Sequence, residues 1–208
     1  DLLARRRPFE AAVFDRDPDD QSQRDEARDD VEHTLVRRGD GDEEDDEPVI
    51  SPDARRWVIA PGPQARYWSQ FLKEGNMTIG WEEFGNLSEY PDRGALQEAI
   101  SEGYGNGSKH TNNSLTMWDF SHSIRVGDVV YAKQGISRII GWGIVTSPYR
   151  FEPERGEYGN VIDVDWRDTR EVILPEQFRL ALKTLTKVDG QSRFVEFLDS
   201  FYSDGPPI

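Results

Sequence analysis

Residues 127–145 read Gly127-Asp128-Val129-Val130-Tyr131-Ala132-Lys133-Gln134-Gly135-Ile136-Ser137-Arg138-Ile139-Ile140-Gly141-Trp142-Gly143-Ile144-Val145. Two runs rich in β-branched and aromatic residues flank a short turn, the pattern of an antiparallel hairpin. In the second run Gly141 and Gly143 fall on one face, and Ile140, Trp142 and Ile144 on the other. One face is therefore bare of side chains, which suits a place where a barrel bends or another backbone approaches. Downstream, 160–166 predicts a strand with Ile162, Val164 and Trp166 turned to a core and Asp163 and Asp165 turned away. Pro175 then predicts the start of a helix with Phe178, Ala181, Leu182 and Leu185 inward, and 192–202 a second helix carrying Phe194, Phe197, Leu198 and Phe201.

Upstream of the hairpin, 57–60 predicts a short buried strand stopped by Pro61-Gly62-Pro63. The i,i+4 pairs Tyr67/Phe71 and Trp68/Leu72 predict a helix over 64–73, ended by Gly75. A second strand is expected at 78–81, a helix at 95–102 with Leu96, Ala99 and Ile100 inward, and a polar loop at 103–114. Short strands, aromatic-rich connections and a few packed helices make an α+β domain built on a small curved sheet or barrel.

Charge divides the chain differently. Of the net −15, residues 1–47 carry −10, with Phe9 and Phe14 their only aromatics, while all six Trp lie from Trp57 onward. Such a leader cannot bury enough apolar surface to offset the entropy of ordering, so 1–54 is expected to be an acidic, disordered linker. The folded domain is expected at 55–188, followed by a C-terminal helix and tail at 189–208. An overall acidic chain is not a general polycation for nucleic acid, so any such partner must be met by local patches. With no Cys and three His, thiolate chemistry is excluded and imidazole metal sites have little to draw on. No apolar run spans a membrane and no secretory signal is visible, which predicts a cytoplasmic protein. Gly107-Ser108-Lys109-His110 lacks the Gly-Lys-Ser/Thr order of a phosphate-binding loop.

Taken in order, WVIAPG (57–62), ARYWSQF (65–71), IGW (79–81), GDVVYAKQG (127–135), IIGWGIV (139–145) and GNVIDVDW (159–166) resemble the EVE and YTH modules of the PUA-like superfold. The resemblance covers roughly 55–185 and is strongest to the module at the N-terminus of McrB-type modification-dependent restriction GTPases. It implies a PUA-like fold and a non-catalytic reader, needing no cofactor or metal, that holds a modified base in an aromatic pocket. The base would be flipped from a duplex or taken from a single strand. Modified DNA is the expected partner, with RNA as the alternative, together with a motor or nuclease domain or subunit. The absent start Met and the end at Gly205-Pro206-Pro207-Ile208 fit a fragment of such an assembly.

The same resemblance implies particular residues. Trp81, where the second strand leaves the sheet, is the first candidate wall, with a core position as its alternative. Pro61 and Gly62 would offer backbone groups to the base edge; Arg66 and Tyr67 would add side-chain contacts unless Tyr67 is buried. Tyr149 and Tyr158 are candidates for the opposite wall, a region where YTH modules carry a Trp that this sequence lacks. Trp118 either lines the site or seals the barrel. Lys109, Arg125, Lys133, Arg138, Arg150 and Arg155 are the candidate phosphate contacts. Two other classes compete: a metal-dependent nuclease using Asp163 and Asp165, and a protein-interaction module using the acidic leader and the Phe-rich C-terminal helix.

Overall fold

The computed structural model describes residues 50–104 and 109–203. The acidic leader up to residue 49, and the tail from residue 204, lie outside the described residues. Among the described residues eight strands form one curled sheet: β1 (Arg56–Ile59), β2 (Asn76–Ile79), β3 (Val129–Gln134), β4 (Arg138–Val145), β5 (Arg150–Phe151), β6 (Asn160–Asp168), β7 (Val172–Ile173) and β8 (Leu185–Lys187). Their order is β2-β6-β4-β3-β1-β8, with β5 paired to β6 and β7 to β4. The helices are α1 (Trp68–Glu74), α2 (Arg93–Tyr104), α3 (Lys109–Trp118) and α4 (Ser192–Ser203). The result is the expected α+β domain with a half-barrel sheet.

Successive residues of β1 point to opposite faces and feed two cores. Trp57 and Ile59 pack with Phe71 of α1, Leu96 and Ile100 of α2 and Met117 of α3; Val58 packs with Tyr131, Ile139 and the Phe194 and Leu198 of α4. Asp128 ties the first turn together. Only 2% exposed, its carboxylate accepts from the backbone N–H of Arg55 (2.9 Å) and of Arg125 (3.0 Å) and from Trp57 Nε1 (2.9 Å). Because a buried donor left without an acceptor costs about 1–3 kcal/mol, Asp128→Ala is expected to lower stability by at least that much, read from urea unfolding.

The hairpin forms as expected, and Gly143 is where a second backbone comes close: a Cβ there would lie 2.5 Å from the carbonyl oxygen of Asp165 on β6. The side chains do not keep simple alternation, however. Ala132 pairs with Gly141 and Lys133 with Ile139, so Ile140 is a bulge residue. Ile140 therefore turns to Ala65 and Ala132, while Trp142 packs with the second core. β6 behaves as read, burying Ile162 and Val164 and leaving Asp163 and Asp165 half-exposed.

Four elements differ from expectation. The second strand, expected at 78–81, runs Asn76–Ile79, because Trp81 turns to left-handed backbone (φ 73°) and leaves the sheet. Gln64 (φ 54°) and Ala65 (φ 59°) adopt left-handed backbone, so α1 starts at Trp68 rather than at residue 64. The supposed polar loop is helical from Lys109, because Ser114, Met117 and Phe120 recur at helical spacing and are fully buried. Beyond Pro175 only a single turn forms, at Glu176–Phe178. Leu174 N–H and Leu180 N–H instead bond the carbonyls of Ser137 and Ile136 in the hairpin turn, Leu182 is exposed, and Leu185 joins β8 opposite Ile59.

Candidate functional site

The chain leaves β1 through Ala60-Pro61-Gly62 and leaves β2 through Gly80-Trp81, and both exits open on one cleft of about 630 Å³. Gly62 is fixed by its surroundings: φ is 70°, and a Cβ would lie 2.4 Å from the Tyr67 ring. Trp81 is half-buried, with its indole against the first core and the cleft, on left-handed backbone (φ 73°). Tyr158, also left-handed (φ 60°), lines the same cleft. The non-glycine residues with positive φ among the described residues are Gln64, Ala65, Trp81 and Tyr158. Three of them line the cleft and the fourth adjoins Gln64. Each costs on the order of 1–3 kcal/mol and persists only where its surroundings hold it, a pattern that concentrates at ligand clamps.

What holds them is visible. Glu82 Oε1 accepts the Gly159 N–H at 3.0 Å, and Asn160 Nδ2 donates to the Gly80 carbonyl at 2.8 Å. The Trp81 turn and the Tyr158 turn are thereby bolted to each other. Behind Tyr158, the Tyr67 ring lies 4.3 Å away centroid to centroid, and the Arg66 guanidinium sits 4.6 Å from the Tyr67 centroid. Hydrogen bonding to the Tyr158 hydroxyl raises the Arg66 pKa above its ordinary value, while burial, then Tyr67, raises that of Tyr158. Arg66 and Tyr67 thus buttress a wall rather than form one.

Of the other candidates, Pro61 is buried and its carbonyl accepts the Tyr67 N–H, so it shapes the turn without lining the cleft. The structure does not bring Tyr149 to the cleft: its hydroxyl accepts from Leu87 N–H and donates to Asn160 Oδ1, and burial pushes its pKa up to about 12. Trp118 stacks on His122 at 3.7 Å and packs against the first core. Among the cations, Lys133 lines the cleft. Arg138 pairs with Glu171, Arg150 with Glu152 and Asp163, and Arg155 with Glu74 and Glu152. Arg125 is exposed and away from the cleft, and the Lys109 side chain lies outside the described residues. The six cations do not form one patch. Asp163 and Asp165, the nuclease candidates, are each ion-paired, to Arg150 (2.8 Å) and Arg167 (2.5 Å). No group of three His, Asp or Glu among the described residues is placed to hold a metal.

The family described as "Domain of unknown function (DUF8426)" matches residues 57–189. The chain belongs to the DUF8426 family. The described cleft residues all fall inside the DUF8426 segment. No curated protein matches the chain. Similar solved structures include the YTH domain of Zygosaccharomyces rouxii MRB1 protein in complex with N6-methyladenosine RNA, at 15% identity, 72% coverage of this chain, 88% of that one and TM-score 0.38. The Mmi1 YTH domain is 12% identical over 76% of this chain and 97% of its own, also with TM-score 0.38. The Pho92 YTH domain in complex with m6A is 15% identical over 73% and 88%, with the same TM-score.

Sequence reasoning missed part of the DUF8426 cleft. Leu182, Lys183 and Thr184 line it because β8 returns the chain to the edge of β1, where Ala60 N–H bonds the Thr184 carbonyl, and Gln64 lines it from the turn after β1. Glu83 and Tyr104 line it from the other side. A helix expected after Pro175 hid Leu182, Lys183 and Thr184, and one expected over 64–73 hid Gln64.

Proposed function

We propose that this DUF8426 chain is a non-catalytic module that reads a modified base in DNA, seating the flipped base in the cleft between Trp81 and Tyr158. The observation that carries the reading is that both aromatic residues sit on strained left-handed backbone, locked to each other and facing one cleft. Its volume falls within the roughly 300–1,000 Å³ of small-ligand sites. Stacking on aromatic faces returns about 1–3 kcal/mol per platform against a few kcal/mol lost on extracting a base, and a methyl group adds apolar area that such walls favour. Gly62, whose turn is closed by its own backbone bonds to Ala60 and Ala65, leaves the cleft wall beside it bare of a side chain, so that a ring can approach. In this reading the domain targets a motor or nuclease partner to modified DNA, as its resemblance to McrB-type modules in motif order suggests.

The test is a binding screen with oligonucleotides that differ in one modified base, as duplex DNA, single-stranded DNA and RNA. A modified DNA strand retained over its unmodified twin is the expected result. Preference for a modified RNA keeps the reader and overturns the choice of DNA; no preference anywhere overturns the reader.

A further inference from the structure

A second cavity, of about 390 Å³, lies between the start of β1 and the end of α4 and shares no lining residue with the cleft. Its walls are aromatic. Tyr131, Trp142 and Tyr202 line it, the Tyr202 ring lying 6.1 Å from Trp142 and 6.4 Å from Tyr131, centroid to centroid. Among the described residues three buried side-chain polar atoms have no hydrogen-bond partner, and two of them, Arg56 Nε and Trp142 Nε1, belong to residues of these walls. Buried polar groups are paired as a rule, so two orphans around one cavity call for a reason. Both are N–H donors that cannot accept. The carboxylate and the two phenols of the lining, by contrast, are already paired. Asp199 accepts from the Tyr131 hydroxyl at 3.1 Å and from Arg56 Nη2 at 3.2 Å, and the Tyr202 hydroxyl donates to the Arg170 carbonyl at 3.0 Å.

What these walls leave unmatched is donors among ring faces, and the complement is a flat molecule that accepts. Its charge follows from the ion pair. Arg56 is neutralised by Asp199, so an entering carboxylate finds no free cation and meets the Asp199 carboxylate, while an entering ammonium meets the Arg56 guanidinium. A neutral carbonyl meets neither cost. The volume stands at the low end of the roughly 300–1,000 Å³ of small-ligand sites, which suits a single ring with its substituent. We propose that this cavity is a second binding site, taking a small, neutral, planar ring that bears a carbonyl acceptor, an aromatic amide in chemical class, with Arg56 Nε and Trp142 Nε1 as its donors. The site stands independently of the reader function.

The experiment is an NMR titration of the whole chain with nicotinamide as the probe, beside nicotinate, which has a carboxylate in place of the amide, and benzylamine, a cation with no acceptor. Each indole N–H gives its own signal, so Trp142 reports on this cavity and Trp81 on the cleft. Nicotinamide is expected to move the Trp142 signal at about a tenth of the concentration that either analogue needs. Trp142→Phe keeps a ring in the wall and removes one donor. It is expected to weaken nicotinamide binding by about 2- to 13-fold, the worth of one hydrogen bond. A Trp142 signal that nicotinamide leaves in place overturns the site, and movement at Trp81 alone puts the ring in the cleft instead. Nicotinate or benzylamine bound as tightly as nicotinamide overturns the neutral acceptor, and undiminished binding by Trp142→Phe overturns the indole as donor. The wild-type titration decides the site and its ligand class even where the variant does not fold.

Discussion

Trp81→Ala is expected to weaken binding of a modified oligonucleotide by about 5- to 150-fold while leaving weak, unselective DNA binding in place, because one stacking platform contributes about 1–3 kcal/mol. Anisotropy titrations of modified and unmodified twins measure both quantities. The indole also touches the first core, so folding has to be separated from binding. Trp81→Gly does this, since φ of 73° suits glycine and removing the ring there relieves backbone strain. Both variants should lose the preference, and the glycine variant should be the better folded of the two by urea unfolding. A preference that survives in a folded Trp81→Gly protein would place the base elsewhere than against this indole.

Lys133 sets the largest expected stability effect. Its ammonium is held at about 8 in the folded chain against an ordinary 10.5, and burial is the cause. Below about pH 8 both states carry the proton and the folded state bears the desolvation cost, of order 3 kcal/mol. As pH rises from about 8 towards 10.5 the folded chain releases the proton first, the unfolded chain binds more protons, and stability increases. Tyr131, Tyr149 and Tyr202 act oppositely but later: burial raises them above the ordinary 10.0, so they oppose the rise only beyond that pH. Glu83, Lys183 and Tyr158 line the same cleft and are common to both proteins compared. Urea unfolding of wild type should therefore show a climb between about pH 8 and about pH 10 that is missing in Lys133→Met. A wild-type profile as flat as that of the variant would mean that the ammonium is hydrated in solution.

Local pattern was a good guide where pairing partners are near in sequence. The hairpin of β3 and β4 follows from two β-branched and aromatic runs about a short turn, and α4 from the spacing of Phe194, Leu198 and Phe201. What could not be read depends on distant partners. The segment after Pro175 has helical spacing, but Ser137, Ile136 and Lys133 capture its backbone groups and hold it extended. Ser114 and Thr116 look like loop residues until Met117 and Phe120 carry them into the core. The site shows the same division. Trp81, Gly62 and Tyr158, read as aromatic walls and a turn glycine, line one cleft, as does Lys133, read as a phosphate contact. Tyr149 was not distinguishable from Tyr158, because only the fold shows that Asn160 and Leu87 occupy its hydroxyl. The pairing of the arginines read as phosphate contacts was hidden for a similar reason: Glu74, Asp163 and Glu171 reach Arg155, Arg150 and Arg138 from other elements.

The position of β1 between β3 and β8 has a consequence for synthesis. Its partners are Val129–Ala132 on one side and Leu185–Lys187 on the other, so the first strand of the described residues is the one whose second flank is closed last. Until then Trp57 and Ile59 wait with bare strand edges, open to mispairing with other nascent chains. Pairing of both edges of β1 therefore waits until 185–187 has been made.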